Sequence, residues 1–439
     1  MRNTVSFRKM YISILVMGYL LRGIIYHVFP AINEILPWFT VIAPVAIVLI
    51  DLVKDLRKPD GMETALLVFL CAAVITSVMH GPQYLNQRVG DMIFPTTEDL
   101  IFSLVQAFGL CVVCFRAPLR EDPERYPKFM DRLGMAAWLV ICGLMLGSVI
   151  LYLCYVNDIS LPGGLGSADQ IFTYGHLGEE MRFCGLFGYS NDGGNLCGLA
   201  AVLTIILAQR KRIPLWAAGC AYLLSACTIF LLDVRTSVVE LLVITAIPVY
   251  YLLGKKIGYG RTILLVGITA ALLVIAMVVS RPEAIATFME RFRKDPYDGL
   301  RFLTTGRSFF WDMSVQMFRK SPIFGQGWLN SQALGYFDGH NLFFNVLLWT
   351  GLSGVLPLTV FAVLLIRHLV QNKRTLRECG LTVWELLLIA VLTESMLDRA
   401  ILGTSHTGPE TTFFWLTAGM LGYYVKKPLG TDDREALVQ

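Results

Sequence analysis

Apolar stretches of about twenty residues recur from one end of this 439-residue chain to the other, and stretches of that length admit few folds. A helix needs roughly 20 mainly apolar residues to cross the hydrocarbon core of a bilayer. The stretches lie near 10–29, 36–53, 63–79, 99–115, 133–153, 184–209, 213–232, 235–253, 261–280, 341–366, 382–398 and 411–425. Hydrophobic residues make up 55% of the chain and charged residues 16%, which leaves too little polar surface for a soluble globule. The runs lack the alternation of a barrel strand, and backbone polar groups in lipid must be paired internally. The expected fold is therefore an all-α integral membrane protein with about twelve transmembrane helices. It reads as one polytopic domain, 1–439, with a long, partly helical outer loop at 281–340 between the ninth and tenth spans.

Lysine and arginine set the orientation, because short cytoplasmic connections retain them. With both termini inside, the inner segments hold Arg2, Arg8 and Lys9; Lys54, Arg57 and Lys58; Arg116, Arg120, Arg125, Lys128 and Arg132; and Arg210, Lys211 and Arg212. They continue with Lys255, Lys256 and Arg261; Arg367, Lys373, Arg374 and Arg377; and Lys426, Lys427 and Arg434. The short outer connections carry Arg88, Arg182, Arg235 and Arg399, while Arg22 falls inside the first span. The loop at 281–340 is too long to be governed by the bias. The formal net charge of +4 thus reflects topology and gives no reason to invoke nucleic acid. The expected location is a cytoplasmic membrane, crossed many times.

The first span begins about ten residues in and lacks a small-residue cleavage site, so it reads as a retained helix. The ten cysteines are scattered, mostly within spans, where a thiol behaves as a small apolar group. Cys111 and Cys114 form a lone CxxC without a second pair, which favours packing over zinc. Cys154 and Cys184 both fall near the outer face, within reach of a disulfide.

Two outer segments, 154–183 and 281–340, are polar enough to form structure above the membrane. In the second, Ala284 to Arg293 reads as a short amphipathic helix and Ser308 to Arg319 as another, ended by Ser321-Pro322. Phe309, Phe310, Met313 and Met317 line one side of the latter, a stripe suited to packing. After it, Phe324-Gly325-Gln326-Gly327-Trp328 implies a tight backbone path over a ligand or a helix end.

Candidate chemistry lies where polar groups occupy costly positions on the outer face. Arg182 closes the first outer segment, Arg235 follows Asp233 in a very short hairpin, and Arg307 opens the loop helix after Gly306. A helix N-terminus offers free N–H groups and partial positive charge, and an arginine adds a forked donor that suits phosphate oxygens. Three such arginines compose a diphosphate clamp. The competing reading pairs each one with a lipid headgroup or with Asp233, Glu179 or Glu180.

His340 is one of several histidines near that face, with His27, His80, His176 and His406. Its context differs: it sits between Gly339 and Asn341, whose amide is placed to orient the imidazole, and it opens an apolar helix. Neutral imidazole accepts a hydroxyl proton near pH 7 without a metal.

Ordered motifs in this region resemble those of the O-antigen ligase and polymerase group of bacterial membrane glycosyltransferases. Arg182-Phe183-Cys184-Gly185-Leu186-Phe187 with Asn191 is similar to that group's arginine, glycine and asparagine segment. Val234-Arg235-Thr236-Ser237 resembles its serine-arginine motif, with Val234 in place of the usual serine. Thr305-Gly306-Arg307 with Trp311, Pro322, Phe324-Gly325 and Gly327 resembles the loop signature. Gly339-His340-Asn341, with Leu347, Gly351 and Gly354, resembles the closing histidine motif. The likeness runs from about 180 to 357, and the first 150 residues share only topology.

The resemblance implies a GT-C-type fold, with the long loop capping a cavity open to lipid, and a glycan donor carried on undecaprenyl diphosphate. Arg182, Arg235 and Arg307 would bind the diphosphate and His340 would activate the acceptor hydroxyl, with Asn341, Gly325 and Gly327 in support. Direct displacement with inversion needs neither a metal nor a cofactor. The acceptor would be a glycan, lipid or protein, and ligase and polymerase are not separated. Tyr155, Phe172, Tyr174 and His176 would either stack on sugars or anchor the interface.

Rival readings use other residues. A glycosidase-like carboxylate pair would draw on Asp169, Glu179 and Glu180. Glu394, Asp398 and Arg399 suit a structural ion pair. A transferase with an acidic pair in the first outer loop finds only Glu34 there. The alternative from another class is a flippase or exporter of lipid-linked oligosaccharide, but such transporters concentrate polar groups at the midplane, where Arg22 and Glu240 are the main candidates.

Overall fold

The computed structural model describes residues 2–21, 38–40, 42–50, 58–80, 88–89, 92–93, 97–120, 125–159, 171–174, 181–232, 234–257, 307–328, 340–397 and 408–423. Among these residues the chain is an all-α membrane protein, with six helices long and apolar enough to cross a bilayer. In chain order the helices are α1 (Arg2–Leu20), α2 (Gly61–His80), α3 (Thr97–Phe108), α4 (Arg125–Val156), α5 (Ser190–Gln209), α6 (Leu215–Leu232) and α7 (Arg235–Ile257). They continue as α8 (Arg307–Lys320), α9 (Leu342–Gln371), α10 (Lys373–Glu378), α11 (Glu385–Leu397) and α12 (Pro409–Tyr423). Residues 38–40 and 42–50 are also helical. The expected span at 261–280 and helix at 284–293 lie outside the described residues, as do Arg22 and Asp398.

Two features depart from the sequence expectation. Short antiparallel hairpins join Arg88–Val89 (β1) to Met92–Ile93 (β2) and Phe172–Tyr174 (β3) to Met181–Phe183 (β4). They sit in connections between helices, away from the apolar spans, where open strand edges are tolerated. Cys154 and Cys184 do not form the disulfide that their positions allowed, and Cys184 is buried beside β4. Cys111 and Cys114 are buried in a π-helical turn, Gly109–Cys114, that continues α3.

Capping and buried ion pairs fix the ends of several helices. Asp60 accepts from the N–H groups of Met62 and Glu63 at 2.8 and 3.0 Å, while Glu63 Oε2 accepts from the Asp60 N–H at 2.9 Å. This reciprocal capping box satisfies the first turn of α2. Asp131 on α4, 3% exposed, accepts from Arg210 at 2.5 Å and Arg212 at 2.8 Å, and Arg210 also donates to the Gly380 carbonyl. One carboxylate therefore ties α4 to the α5–α6 turn and to the α10–α11 turn.

The bundle closes tightly where side chains are smallest. A Cβ on Gly194 would lie 2.5 Å from Ser237 Oγ, and one on Gly198 would lie 2.0 Å from Glu240 Oε2. This stripe on α5 lets α7 approach and leaves Glu240 1% exposed.

The most consequential irregularity is in α9. Gly351 adopts φ 58° and ψ −151°, which breaks the helix in the membrane. The turn after α8 is spliced into that break: Gln326 and Gly327 donate to the carbonyls of Leu348 and Trp349 at 2.7 and 3.0 Å. Leu352 and Ser353 in turn donate to the carbonyls of Pro322 and Ile323, both at 2.9 Å. Backbone groups that would otherwise cost free energy in an apolar setting are thereby paired.

Candidate functional site

The splice brings the start of α8 against the start of α9. Trp311 stacks on Phe344, with ring centres 5.5 Å apart and planes 15° from parallel. Phe310 faces His340 at 6.5 Å between centroids. Farther along, the buried Trp328 indole donates to Ser103 Oγ at 3.0 Å and packs against Phe69 and Trp349, so the turn is anchored among α2, α3 and α9. Gly325 and Gly327, read as passing over a ligand or a helix end, serve the broken helix. Their φ values of 65° and 99° are of the kind only glycine adopts without strain.

At the junction, Arg307 and Asn341 both reach the last carbonyls of α11. The Arg307 guanidinium donates through Nη1 to the Leu397 carbonyl, and Asn341 Nδ2 donates to the Met396 carbonyl at 2.6 Å. An α-helix leaves its last carbonyls without intrahelical partners, so these side chains close the end of α11. One of the five guanidinium donors is spent this way.

Asn341 also caps α9, its Oδ1 accepting from the N–H groups of Phe343 and Phe344 at 2.9 and 3.2 Å. This corrects the expectation that its amide serves the imidazole: the open first turn of α9 and the open end of α11 engage both ends of that amide. His340 itself has φ 44°, in the left-handed region that non-glycine residues rarely adopt. A strained backbone beside a cap is the kind of outlier from which a functional hypothesis can start. The ring is partly exposed, as is the Arg307 side chain.

Arg182 and Arg235 lie apart from that junction, the first in β4 and the second at the start of α7. Arg182 lies in β4, paired with Thr173 in β3, and its side chain is half-buried. The segment behind it is seated on α4, where Ser148 Oγ accepts from the Leu186 N–H at 3.0 Å and Gly185, at φ 55°, leaves room for that serine. β4 contacts α6, α7 starts at Arg235, and α7 packs along α11, the helix whose end Arg307 and Asn341 hold. The described contacts thus tie Arg307 and Asn341 to adjacent carbonyls of α11, with His340 next to Asn341 in the chain and its ring facing Phe310, about one turn after Arg307, while Arg182 and the start of α7 approach through intervening helices. Val234, which replaces the expected serine, is 3% exposed and fills the notch above Gly194, so an apolar residue suits the site.

Sequence reasoning missed the Met396 and Leu397 carbonyls, because backbone acceptors leave no side-chain signature. A short helix ending before Asp398 was the only available sign.

Residues 220–359 match the family model described as O-antigen ligase. Over this segment the chain is similar to that family. The match takes in α6, α7, α8 and α9 through Thr359, and hence Arg235, Arg307, the glycine turn, His340 and Asn341; Arg182 precedes it. A comparison with curated proteins gives no match. The family and the apolar helices together describe a multi-pass membrane glycosyltransferase of polysaccharide assembly.

Proposed function

We propose that this protein belongs to the O-antigen ligase family and transfers a glycan from undecaprenyl diphosphate to an acceptor hydroxyl on the outer face of the cytoplasmic membrane. Both termini then lie in the cytoplasm, and 281–340 is an outer loop. The observation that carries the reading is that Arg307 and Asn341, the neighbour of His340, hold adjacent carbonyls at the end of α11, all three residues lying inside the segment that matches the family model.

In the proposed step the acceptor oxygen attacks the anomeric carbon as the bond to the diphosphate oxygen breaks, with inversion. The hydroxyl proton passes to the His340 imidazole, and the electron pair of the broken bond leaves on the diphosphate. Arg307, with Arg182 and Arg235, neutralises charge that grows on that leaving group, the differential stabilisation that lowers a barrier. The scheme requires no metal ion. The acceptor is a glycan, lipid or protein, and its nature separates ligase from polymerase.

The test is release of undecaprenyl diphosphate from a lipid-linked glycan by reconstituted protein in EDTA, with candidate acceptors supplied. Transfer is expected in the wild type and should fall about 100-fold or more in His340→Ala, the scale of a lost general base. Unchanged turnover in that variant overturns the base assignment. Movement of the lipid-linked glycan across the bilayer without bond cleavage supports the flippase or exporter reading instead.

A further inference from the structure

Two contacts show how deep α8 reaches beside α2, whose 20 residues rise about 30 Å, the thickness of a hydrocarbon layer. A Cβ on Gly61, the first residue of α2, would lie 3.5 Å from Leu364 Cδ1, so Leu364 on α9 marks one edge of that layer. Gly351 stands thirteen residues back along α9, about 20 Å from this edge. Phe69, which meets Trp328 at 6.0 Å, is eight residues from Gly61, or about 12 Å. The turn that follows α8 is thus held well inside the membrane. The opposite end of α8 is not: Arg307 reaches the end of α11, and Phe310 faces His340 just before α9 begins. α8 therefore descends from one face of the membrane into its interior.

One side of α8 suits that depth, with Met313 and Met317 packed against the apolar core and Trp311 stacked on Phe344. The other side does not. Phe309, Asp312, Gln316, Arg319 and Lys320 are exposed, and their spacing of three and four residues sets them in one stripe along the whole helix. Basic residues in a last turn complement the helix dipole, but at this depth a charge facing hydrocarbon is strongly unfavourable. Such a stripe is stable where it faces water, and intramembrane cations that do so mark the path of a substrate.

The residue types say which substrate. Phe309 offers a ring face, Asp312 accepts from hydroxyls, the Gln316 amide both donates and accepts, and Arg319 and Lys320 place two cations at the foot. We propose that the exposed side of α8 lines an aqueous recess that admits the acceptor saccharide, and that Arg319 and Lys320 hold an acid group, carboxylate or phosphate, on it. This rests on the transferase reading given above and makes the acceptor an acidic glycan. The arginine fork suits two oxygens of one acid group, and the lysine adds a point charge beside it. Arg319 is twelve residues beyond Arg307, about 18 Å along the helix, too far for one diphosphate to engage both. The foot of α8 is therefore an anion site of its own, several sugar units from the reacting hydroxyl.

The test uses the purified full-length protein in nanodiscs. A cysteine is placed on the stripe, and its modification by the anionic reagent methanethiosulfonate ethylsulfonate is read by mass spectrometry at that residue. The thiolate is the reacting form, and it arises in water rather than in hydrocarbon. Gln316→Cys is expected to react, whereas Val68→Cys, on an exposed position of α2 beside Phe69, is not. Asp312→Cys replaces Gln316→Cys should the latter fail to fold. Adding Arg319→Gln and Lys320→Gln should slow the anionic reagent about tenfold and leave a cationic one unslowed. Methyl glucuronide or glucose 6-phosphate should protect the cysteine about fivefold where methyl glucoside does not, and this protection should vanish with the two glutamines. Which of the two protects names the acid as carboxylate or phosphate. Absence of reaction at both stripe positions, or the same result with the neutral sugar as with both acids, overturns the proposal. So does equal protection by inorganic phosphate, which would leave a bare anion site. If the wild type transfers glycan but neither acid protects, only the recess fails. If an acid protects but no acceptor is glycosylated, the recess stands and the transferase reading fails.

Discussion

Gly325 and Gly351 meet backbone to backbone: a Cβ on either one would lie 2.6 Å from the backbone nitrogen of the other. Neither neighbour can yield, because both belong to main chain held by the four hydrogen bonds of the splice. The contact is therefore a condition for placing the start of α8, which carries Arg307, against the start of α9.

Gly351→Ala and Gly325→Ala should each lower thermal stability by about 2 kcal/mol or more, combining left-handed strain with the backbone clash. Melting monitored by fluorescence-detected size exclusion checks this. A variant as stable as the wild type would show that the two segments can separate without cost.

Arg307 has two tasks, closing α11 through the Leu397 carbonyl and, in the proposed step, bearing on the diphosphate. Arg307→Lys keeps a cation that can cap a helix end but loses the planar fork. Its melting should stay near that of the wild type while turnover drops roughly tenfold, and Arg307→Ala should lose about 100-fold. Full turnover in the lysine variant would confine the residue to charge alone.

Asn341→Ala should cost about 1–2 kcal/mol, because a cap on two N–H groups and a bond to the Met396 carbonyl disappear together. Asn341→Asp separates the two, since its carboxylate still accepts from the first turn of α9 but cannot donate to Met396. The aspartate variant is expected to melt between the alanine variant and the wild type. Should both variants melt alike, the cap contributes nothing beyond the bond to α11.

On the opposite side of the bundle, Asp131→Ala should be the most destabilising of these changes, by about 3–5 kcal/mol, because Arg210 and Arg212 lose the carboxylate that compensates them. Asp131→Asn restores shape without charge and should recover part of that loss. A chemical-denaturation series in detergent measures both, and a loss below about 1 kcal/mol in the alanine variant would mark the cluster as a surface pair.

Twenty-residue apolar runs determined on their own that the chain is helical and membrane-embedded, because the hydrocarbon core dictates length and internal pairing whatever the partners. The order of Arg182, Arg235, Arg307 and His340 likewise made a membrane glycosyltransferase legible, and the Ser308–Arg319 pattern marked α8 to within a residue at each end. Periodicity says nothing about which helix ends meet. That Arg307 and Asn341 share the carbonyls of Met396 and Leu397 depends on contacts between residues 55 and 90 positions apart in the chain. Nor could Gly351 be told from an ordinary glycine of an apolar helix, since a break in lipid survives only when a distant turn pairs the freed backbone groups. The tertiary structure alone decided that pairing, and with it the course of α9 beyond Gly351.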